Sequence, residues 1–222
     1  MRIATTFIIT LLLIGSVSGL RAQGPMDEMN ARASRLIDTT MRTINMRSEH
    51  FNQELDKIHK RNLLDPAMLD SANIVTNISL LKDFLSYLEV YRTVSKKFRE
   101  EIEDSVLAFR SELPRKMRDI YLEDFVIANR KDHGGFEKYT LALTDVYSKI
   151  KETLELLLVA KIEIKAGKIQ FGSKDDYEKY QSYMNTVNKA NKKLIDAGAA
   201  SQRATLEAGE QMNKTANAIS SH

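Results

Sequence analysis

Two acid–histidine pairs in the first third of the chain have the spacing of metal ligands. His50 and Glu54 are four residues apart, and Asp56 and His59 are three apart, so each pair would share one face of a helix. Helical di-iron centres, however, combine two Glu-x-x-His pairs with further inward-facing glutamates. The chain contains no Glu-x-x-His sequence and no cysteine. We therefore predict no metal site and no cofactor.

Charged residues further along the chain are spaced as surface ion pairs. Lys96 and Glu100 are four residues apart, as are Arg99 and Glu103, which is the separation of neighbours on an exposed helix face. A phosphate-binding glycine loop, a nucleophile elbow and a dinucleotide-binding fingerprint are all missing from the sequence. We therefore predict that the protein is not an enzyme.

The densest basic cluster surrounds Pro114. Besides Arg110 it contains three candidate contact residues, Arg115, Lys116 and Arg118. They could bind an anionic partner such as lipid headgroups, although Glu112 and Asp119 interrupt the cluster. The formal net charge is only +3, which is too small for the strongly basic face of a nucleic-acid-binding protein. We expect no nucleic-acid partner.

Three tyrosines recur at every third residue near the expected start of the last helix. Tyr177 and Tyr180 fit the apolar seam, and we expect them in the core with their hydroxyl groups in solvent. Tyr183 lies off this seam. It is therefore a candidate contact for a ligand or partner.

The N-terminus resembles a secretory signal. Arg2 is followed by an uncharged apolar run over residues 3–17 and then by small residues. Cleavage after Gly19 or, preferably, after Ala22 would make residues 1–22 the signal peptide. An uncleaved anchor is the alternative. A lipoprotein anchor is excluded because no cysteine follows the run.

Apolar residues recur every three or four positions almost to the C-terminus, which predicts long helices. We expect a first helical reversal at 62–66, with Asp65 as N-cap and Pro66 at the first helical position. Pro114 would either bend the second helix or begin a new one. The glycine pair in 132–135 predicts another reversal.

The next predicted helix covers about 136–166 and stops at Gly167. After a loop at 168–172, Ser173 is the expected N-cap of a helix that starts at Lys174. Its apolar seam is broken at 197–200, and we expect the following residues, which are poor in large apolar side chains, to form a frayed or conditional helix.

The 136–166 helix has an unusually wide apolar arc. Its flanks carry Leu156 on one side and Leu158 and Ile162 on the other. Packing against two or three neighbouring helices would account for this width. Alternatively, part of the arc docks a protein partner, a membrane or a small apolar ligand.

The sequence thus predicts an all-α fold, an elongated antiparallel bundle of four to five long helices. Residues 23–197 would form the bundle and 198–222 a weakly packed, partly helical or disordered tail. We expect an exported protein, periplasmic or secreted, that acts as a structural or interaction component of the cell envelope, such as a secretion or conjugation assembly. A bundle that binds a small apolar or aromatic ligand and a membrane-active bundle are the alternatives. A protein partner is expected, and peripheral membrane contact and a homo-oligomer are compatible with the sequence.

Overall fold

The computed structural model describes residues 39, 42, 45–108 and 115–220, without the side chains of 106, 115–125 and 212–220. The predicted signal peptide and Pro114 lie outside the described residues. The described chain is mostly helical, with one β-hairpin. In chain order its elements are α1 over residues 45–59, a 3-10 turn over Pro66–Met68, α2 over Ser71–Ala108, α3 over Arg115–Val159, β1 over Ile162–Lys165, β2 over Lys168–Phe171 and α4 over Lys174–Ser220.

The chain divides into two compact units. We call Phe51–Val94 together with Phe136–Ala200 the hairpin unit. The second unit includes Ser95–Gly135 and the chain from Ser201 onward. The helices α2, α3 and α4 each contribute residues to both units.

The core of the hairpin unit is built from the apolar faces predicted by the helical spacing. Phe51 on α1, Leu81 and Leu88 on α2 and Leu143 and Leu154 on α3 are all buried in it. The ring of Phe51 contacts that of Tyr91 at 5.0 Å and that of Phe136 at 5.8 Å between centroids. Apolar side chains from the β-hairpin and from α4 pack against this core.

The start of α2 differs slightly from the prediction. Asp65 is an N-cap, since its side chain accepts a hydrogen bond of 2.9 Å from the backbone N–H of Ala67, and Pro66 opens the turn as expected. This turn is, however, a single 3-10 turn. The long helix begins at Ser71, where Asp70 provides a second cap by accepting 2.8 Å from the N–H of Asn73.

The reversal predicted at residues 132–135 is wrong. Helix α3 passes through Gly134 and Gly135 without a break, and neither glycine has a positive φ. Gly135 allows close packing instead, because a Cβ atom there would lie 3.0 Å from the Cβ of Ala204 on α4. The glycine pair therefore marks a close contact between two helices rather than a turn.

The helix predicted over 136–166 is also wrong at its end. Helix α3 stops at Val159, and β1 and β2 follow as an antiparallel hairpin. Its turn is made by Ala166 and Gly167, both with positive φ. The strands alternate apolar and polar residues, which is the period-two pattern of a half-buried hairpin.

The last helix begins as predicted. Ser173 caps it by accepting 3.1 Å from the backbone N–H of Asp176, and α4 starts at Lys174. The helix then continues through 197–200 without interruption. The side chain of Ala208 is buried. Within the described residues, no helix is long and apolar enough to cross a bilayer.

Candidate functional site: a cleft beneath the hairpin

A cleft lies between the β-hairpin and the helix ends next to it, entirely within the hairpin unit. Its volume is about 750 Å³, which is within the range of small-molecule sites. We call it the hairpin cleft. It is lined by Leu69, Asp70, Ser71 and Ile74 around the start of α2, by Leu157, Leu158 and Ala160 at the end of α3, and by Lys161–Ile164 and Gln170–Gly172 of the hairpin.

The hairpin is held over the cleft by its apolar face. Ile162 pairs with Phe171 and Ile164 with Ile169 across the strands, so these four side chains lie on the same side of the hairpin. Ile162, Ile169 and Phe171 pack against the core of the unit. The polar residues that pair across the strands, such as Glu163 and Gln170, lie on the other side of the hairpin.

Aromatic contacts anchor the second strand to α4. The ring of Phe171 lies 5.1 Å from that of Tyr180 and 5.9 Å from that of Tyr177, between centroids. Burial raises the pKa of Tyr180 above the ordinary phenol value, so its hydroxyl group stays protonated to higher pH than that of a free tyrosine. The hydroxyl of Tyr177 accepts a hydrogen bond of 3.0 Å from the side-chain amide of Gln181.

The cleft combines an apolar floor with a rim that carries both polar and apolar residues. Leu69, Ile74 and Leu157 are at most 2% exposed and form the floor. At the rim, both carboxylate oxygens of Asp70 are occupied, since they accept hydrogen bonds from the backbone and side-chain amides of Asn73. The arrangement provides shape and polarity for binding.

No protein-family model, curated protein or solved structure matches this chain. Function is therefore inferred from the geometry of the cleft and its surroundings.

Of the predicted contact residues, Leu158 and Ile162 line the hairpin cleft. Leu156 is half-buried on α3 and is not part of the lining. The continuous helical arc expected to carry these three residues does not exist, because Ile162 belongs to β1. The hairpin folds Ile162 back against the core instead.

The three tyrosines that recur at every third residue have different surroundings in the structure. Tyr180 packs against the core as expected. Tyr177 is 48% exposed, so its assignment to the core is wrong. Tyr183 is half-buried one turn further along α4 and does not line the cleft. Its role as a contact residue stays a prediction.

The basic cluster lies outside the hairpin unit. Arg115, Lys116 and Arg118 lie in the first turn of α3, and their side chains are outside the described residues. The suggested anionic partner for this cluster stays a prediction. The acid–histidine pairs lie on α1, and the described part of the chain contains no group of three or more potential metal ligands.

Sequence inspection missed Lys161, Phe171 and Gly172 as parts of a site. The alternation of apolar and polar residues over Ile162–Lys165 and Lys168–Phe171 was the available signal. Each strand has only four residues, and such short runs also fit a helical period.

Proposed function

We propose that this chain is an exported, non-enzymatic binding protein that acts as a structural or interaction component of the cell envelope. A secretion or conjugation assembly is one such setting. The observation that carries the proposal is an apolar rim beside the hairpin cleft. It consists of Leu158 and Ile164, which line the cleft and are 41% and 39% exposed, and of Val159, which follows Leu158 in the chain and is 80% exposed. Apolar groups exposed together next to a cavity are typical of interaction sites.

The charged residues of the cleft favour binding over catalysis. Asp70 is used as a helix cap, and Glu163 forms an ion pair of 2.5 Å with Lys165. Neither carboxylate therefore resembles a general acid or base placed for substrate. The non-enzymatic assignment is part of the proposal.

The finer architecture predicted from the sequence also belongs to this proposal. It comprises an elongated antiparallel bundle of four to five long helices over residues 23–197, followed by a C-terminal tail over 198–222. Export would require the signal at 1–22. Sequencing the N-terminus of protein purified from the periplasmic or culture fraction tests it: a chain that starts at Gln23 supports export, and retained Met1 in the cytoplasmic fraction contradicts it.

The partner is tested by site-specific photo-crosslinking in the native host. A photoreactive phenylalanine analogue replaces Val159 in one variant and Val90, an exposed residue of α2 outside the cleft, in the matched control. We expect one discrete cross-linked envelope protein from position 159 and none from position 90. Adding Ile164→Asp should abolish the product, because it places a charge in the apolar rim. A product that persists with Ile164→Asp, or equal products from both positions, contradicts the proposed surface.

A second candidate function is the binding of a small apolar or aromatic ligand. It is favoured by the enclosed apolar floor of the cleft, which an extended protein surface alone would not need. A volume of about 750 Å³ accommodates a small molecule with several rings or a short aliphatic chain.

Membrane activity is the third hypothesis. As formulated from the sequence it relied on a helical surface of Leu156, Leu158 and Ile162, and that surface is divided between α3 and β1. Co-sedimentation with anionic liposomes remains its test. Depletion of the protein from the supernatant would support it, whereas no enrichment in the pellet would contradict it.

A further inference from the structure

We infer that the hairpin cleft binds an amphipathic molecule that has an apolar or aromatic body and one anionic group, with Lys161 as the counter-ion. This inference rests on the second candidate function, because it specifies the ligand of that same cleft. Three features support it: the buried floor, the pairing of the charged residues, and the backbone contact that holds Lys161 at the rim.

The apolar residues that line the cleft indicate the chemical character of the uncharged part of the ligand. Leu69, Ile74 and Leu157 present only carbon atoms of their side chains and belong to the buried core, so the floor is firmly packed. Phe171 adds an aromatic ring to the lining. Because these floor side chains are already buried, the free energy of covering an apolar or aromatic ligand comes from the accessible apolar residues of the lining. These are Leu158 and Ile164, which are exposed, and Ile162 and Phe171, which are half-buried.

The charged residues that line the cleft indicate the charge of the ligand's head group. The charged side chains among the lining residues are Asp70, Lys161 and Glu163. Asp70 is engaged by Asn73, and Glu163 is paired with Lys165. Among the described residues, no carboxylate is within ion-pairing distance of the Lys161 ammonium group, and Lys161 is exposed. The cleft therefore has a cation available for a ligand, whereas its carboxylates already have partners.

Two backbone features keep Lys161 at this position. The N–H of Gly172 donates a hydrogen bond of 2.8 Å to the carbonyl oxygen of Lys161. A Cβ atom at residue 172 would lie 3.2 Å from the Cβ of Lys161, so glycine allows the close approach of the two chain segments. The backbone of Lys161 is thus held next to Gly172, the residue that follows β2.

Two fluorescent probes that share one ring system test the inference. 1-Anilinonaphthalene-8-sulfonate carries one negative charge, and N-phenyl-1-naphthylamine is its neutral counterpart. Both are titrated with the full chain at low salt, and their emission reports apolar binding. We expect the sulfonate to bind about threefold to tenfold more tightly than the neutral probe, which is the range of a partly exposed ion pair.

Lysine substitutions test whether Lys161 provides the positive charge that binds the sulfonate. Lys161→Ala should remove the preference for the sulfonate and leave the affinity for the neutral probe unchanged, and Lys161→Arg should keep the preference. Lys168→Ala is the matched control, because Lys168 is an exposed lysine of the same hairpin that does not line the cleft. It should behave as the unmodified protein.

A second pair of substitutions locates the cleft. Ser71→Trp places a large side chain in the lining at an exposed position, whereas Ala72→Trp places it at the neighbouring exposed position outside the lining. Only Ser71→Trp should weaken both probes. Circular dichroism checks that both variants are folded.

The outcomes separate this inference from the function on which it rests. If neither probe binds, or Ser71→Trp and Ala72→Trp have the same effect, ligand binding at the cleft is itself wrong. If both probes bind in the cleft with equal affinity and Lys161→Ala changes neither, only the anionic head group is overturned. A preference that Lys168→Ala removes as well also overturns the role of Lys161.

Discussion

Gly135 on α3 lies directly against Ser201 on α4. A Cβ atom at Gly135 would be 3.0 Å from the Cα of Ser201, which is tighter than most real Cβ contacts, so the backbone of α4 would have to shift slightly to admit it. The contact is continued by Thr205, which donates a hydrogen bond of 2.5 Å to Asp132 Oδ1, and by the ion pair of Lys131 with Glu207. The second unit is therefore organised around a close approach of two helices.

Substituting each glycine of the pair by alanine tests this contact. Gly135→Ala should lower the free energy of unfolding by about 1–3 kcal/mol, because α4 must move to admit the methyl group. Gly134→Ala is the matched control. Nothing lies within 4 Å of its added Cβ, so it should raise the free energy by about 0.5–1 kcal/mol through helix propensity. Urea denaturation of both variants measures the difference. Destabilisation by Gly134→Ala would instead indicate the turn predicted from the sequence.

The turn of the hairpin offers a stabilising substitution. Ala166 has a φ of 51°, a left-handed conformation that costs alanine roughly 1 kcal/mol. Ala166→Gly should therefore raise the free energy of unfolding by up to about 1 kcal/mol. If residue 166 were helical, the same substitution would lower stability by a similar amount. Thermal denaturation gives the sign, and slower amide hydrogen exchange in β1 and β2 would locate the effect.

Gly167 provides the reciprocal test of the turn. Its φ is 70°, and no atom lies within 4 Å of an added Cβ, so the effect of Gly167→Ala comes from backbone conformation alone. We expect a loss of about 1 kcal/mol. An unchanged or increased melting temperature would contradict the hairpin turn.

Asp132 makes the stability of the protein depend on pH. Burial raises the pKa of this carboxyl group above its ordinary value, although the hydrogen bond from Thr205 opposes the shift. Between the ordinary and the raised pKa, the folded state binds more protons than the unfolded chain, so the free energy of unfolding falls as pH rises through that interval. Above it, the charged carboxylate destabilises the fold.

Asp132→Asn removes this titration and keeps an oxygen that can accept from Thr205. The variant should gain stability over the unmodified protein at neutral pH, and the gain should shrink at mildly acidic pH. Denaturation curves across this range measure the difference. A gain that stays constant with pH would show that the carboxyl group does not titrate as described.

Glu103 is an almost buried carboxylate whose principal partner is exposed. It accepts hydrogen bonds of 3.1 and 3.0 Å from the guanidinium group of Arg130 and one of 3.4 Å from the side-chain amide of Asn129. Arg130→Ala would leave the buried charge with only the amide of Asn129 and a 4.0 Å contact from Arg99 Nε, and should cost about 1–3 kcal/mol. Glu103→Gln should cost less than about 1 kcal/mol, because Arg130 can be hydrated. Equal losses in the two variants would contradict this asymmetry.

Local signals in the sequence were sufficient for several elements. Asp65 and Ser173 were predicted as caps, and both side chains accept hydrogen bonds from backbone amides of the following turn. The apolar spacing predicted part of the buried face of α2, including Leu81 and Leu88, although Val94 on the same spacing is exposed. These features depend on residues within one or two helical turns, which is why the sequence is informative about them.

The hairpin cleft and the Gly135 contact could not be predicted in the same way. The cleft depends on how Ile162 and Phe171 pair across a turn and pack against residues of α2 more than 80 positions earlier. Gly135 was recognised as unusual, but glycine serves turns and close helix contacts equally well. Only the position of Ser201 on another helix distinguishes the two.

The sequence by itself determined the mostly helical character of this protein, the apolar faces of its helices and several of their caps, because propensity, periodicity and capping act over a few residues. The tertiary structure decided that α3 continues through Gly134 and Gly135, that α3 ends at Val159, and that a hairpin covers a cleft with Lys161 at its rim. These outcomes depend on free energies of contact between segments distant in sequence, and such contacts override local preferences of similar size.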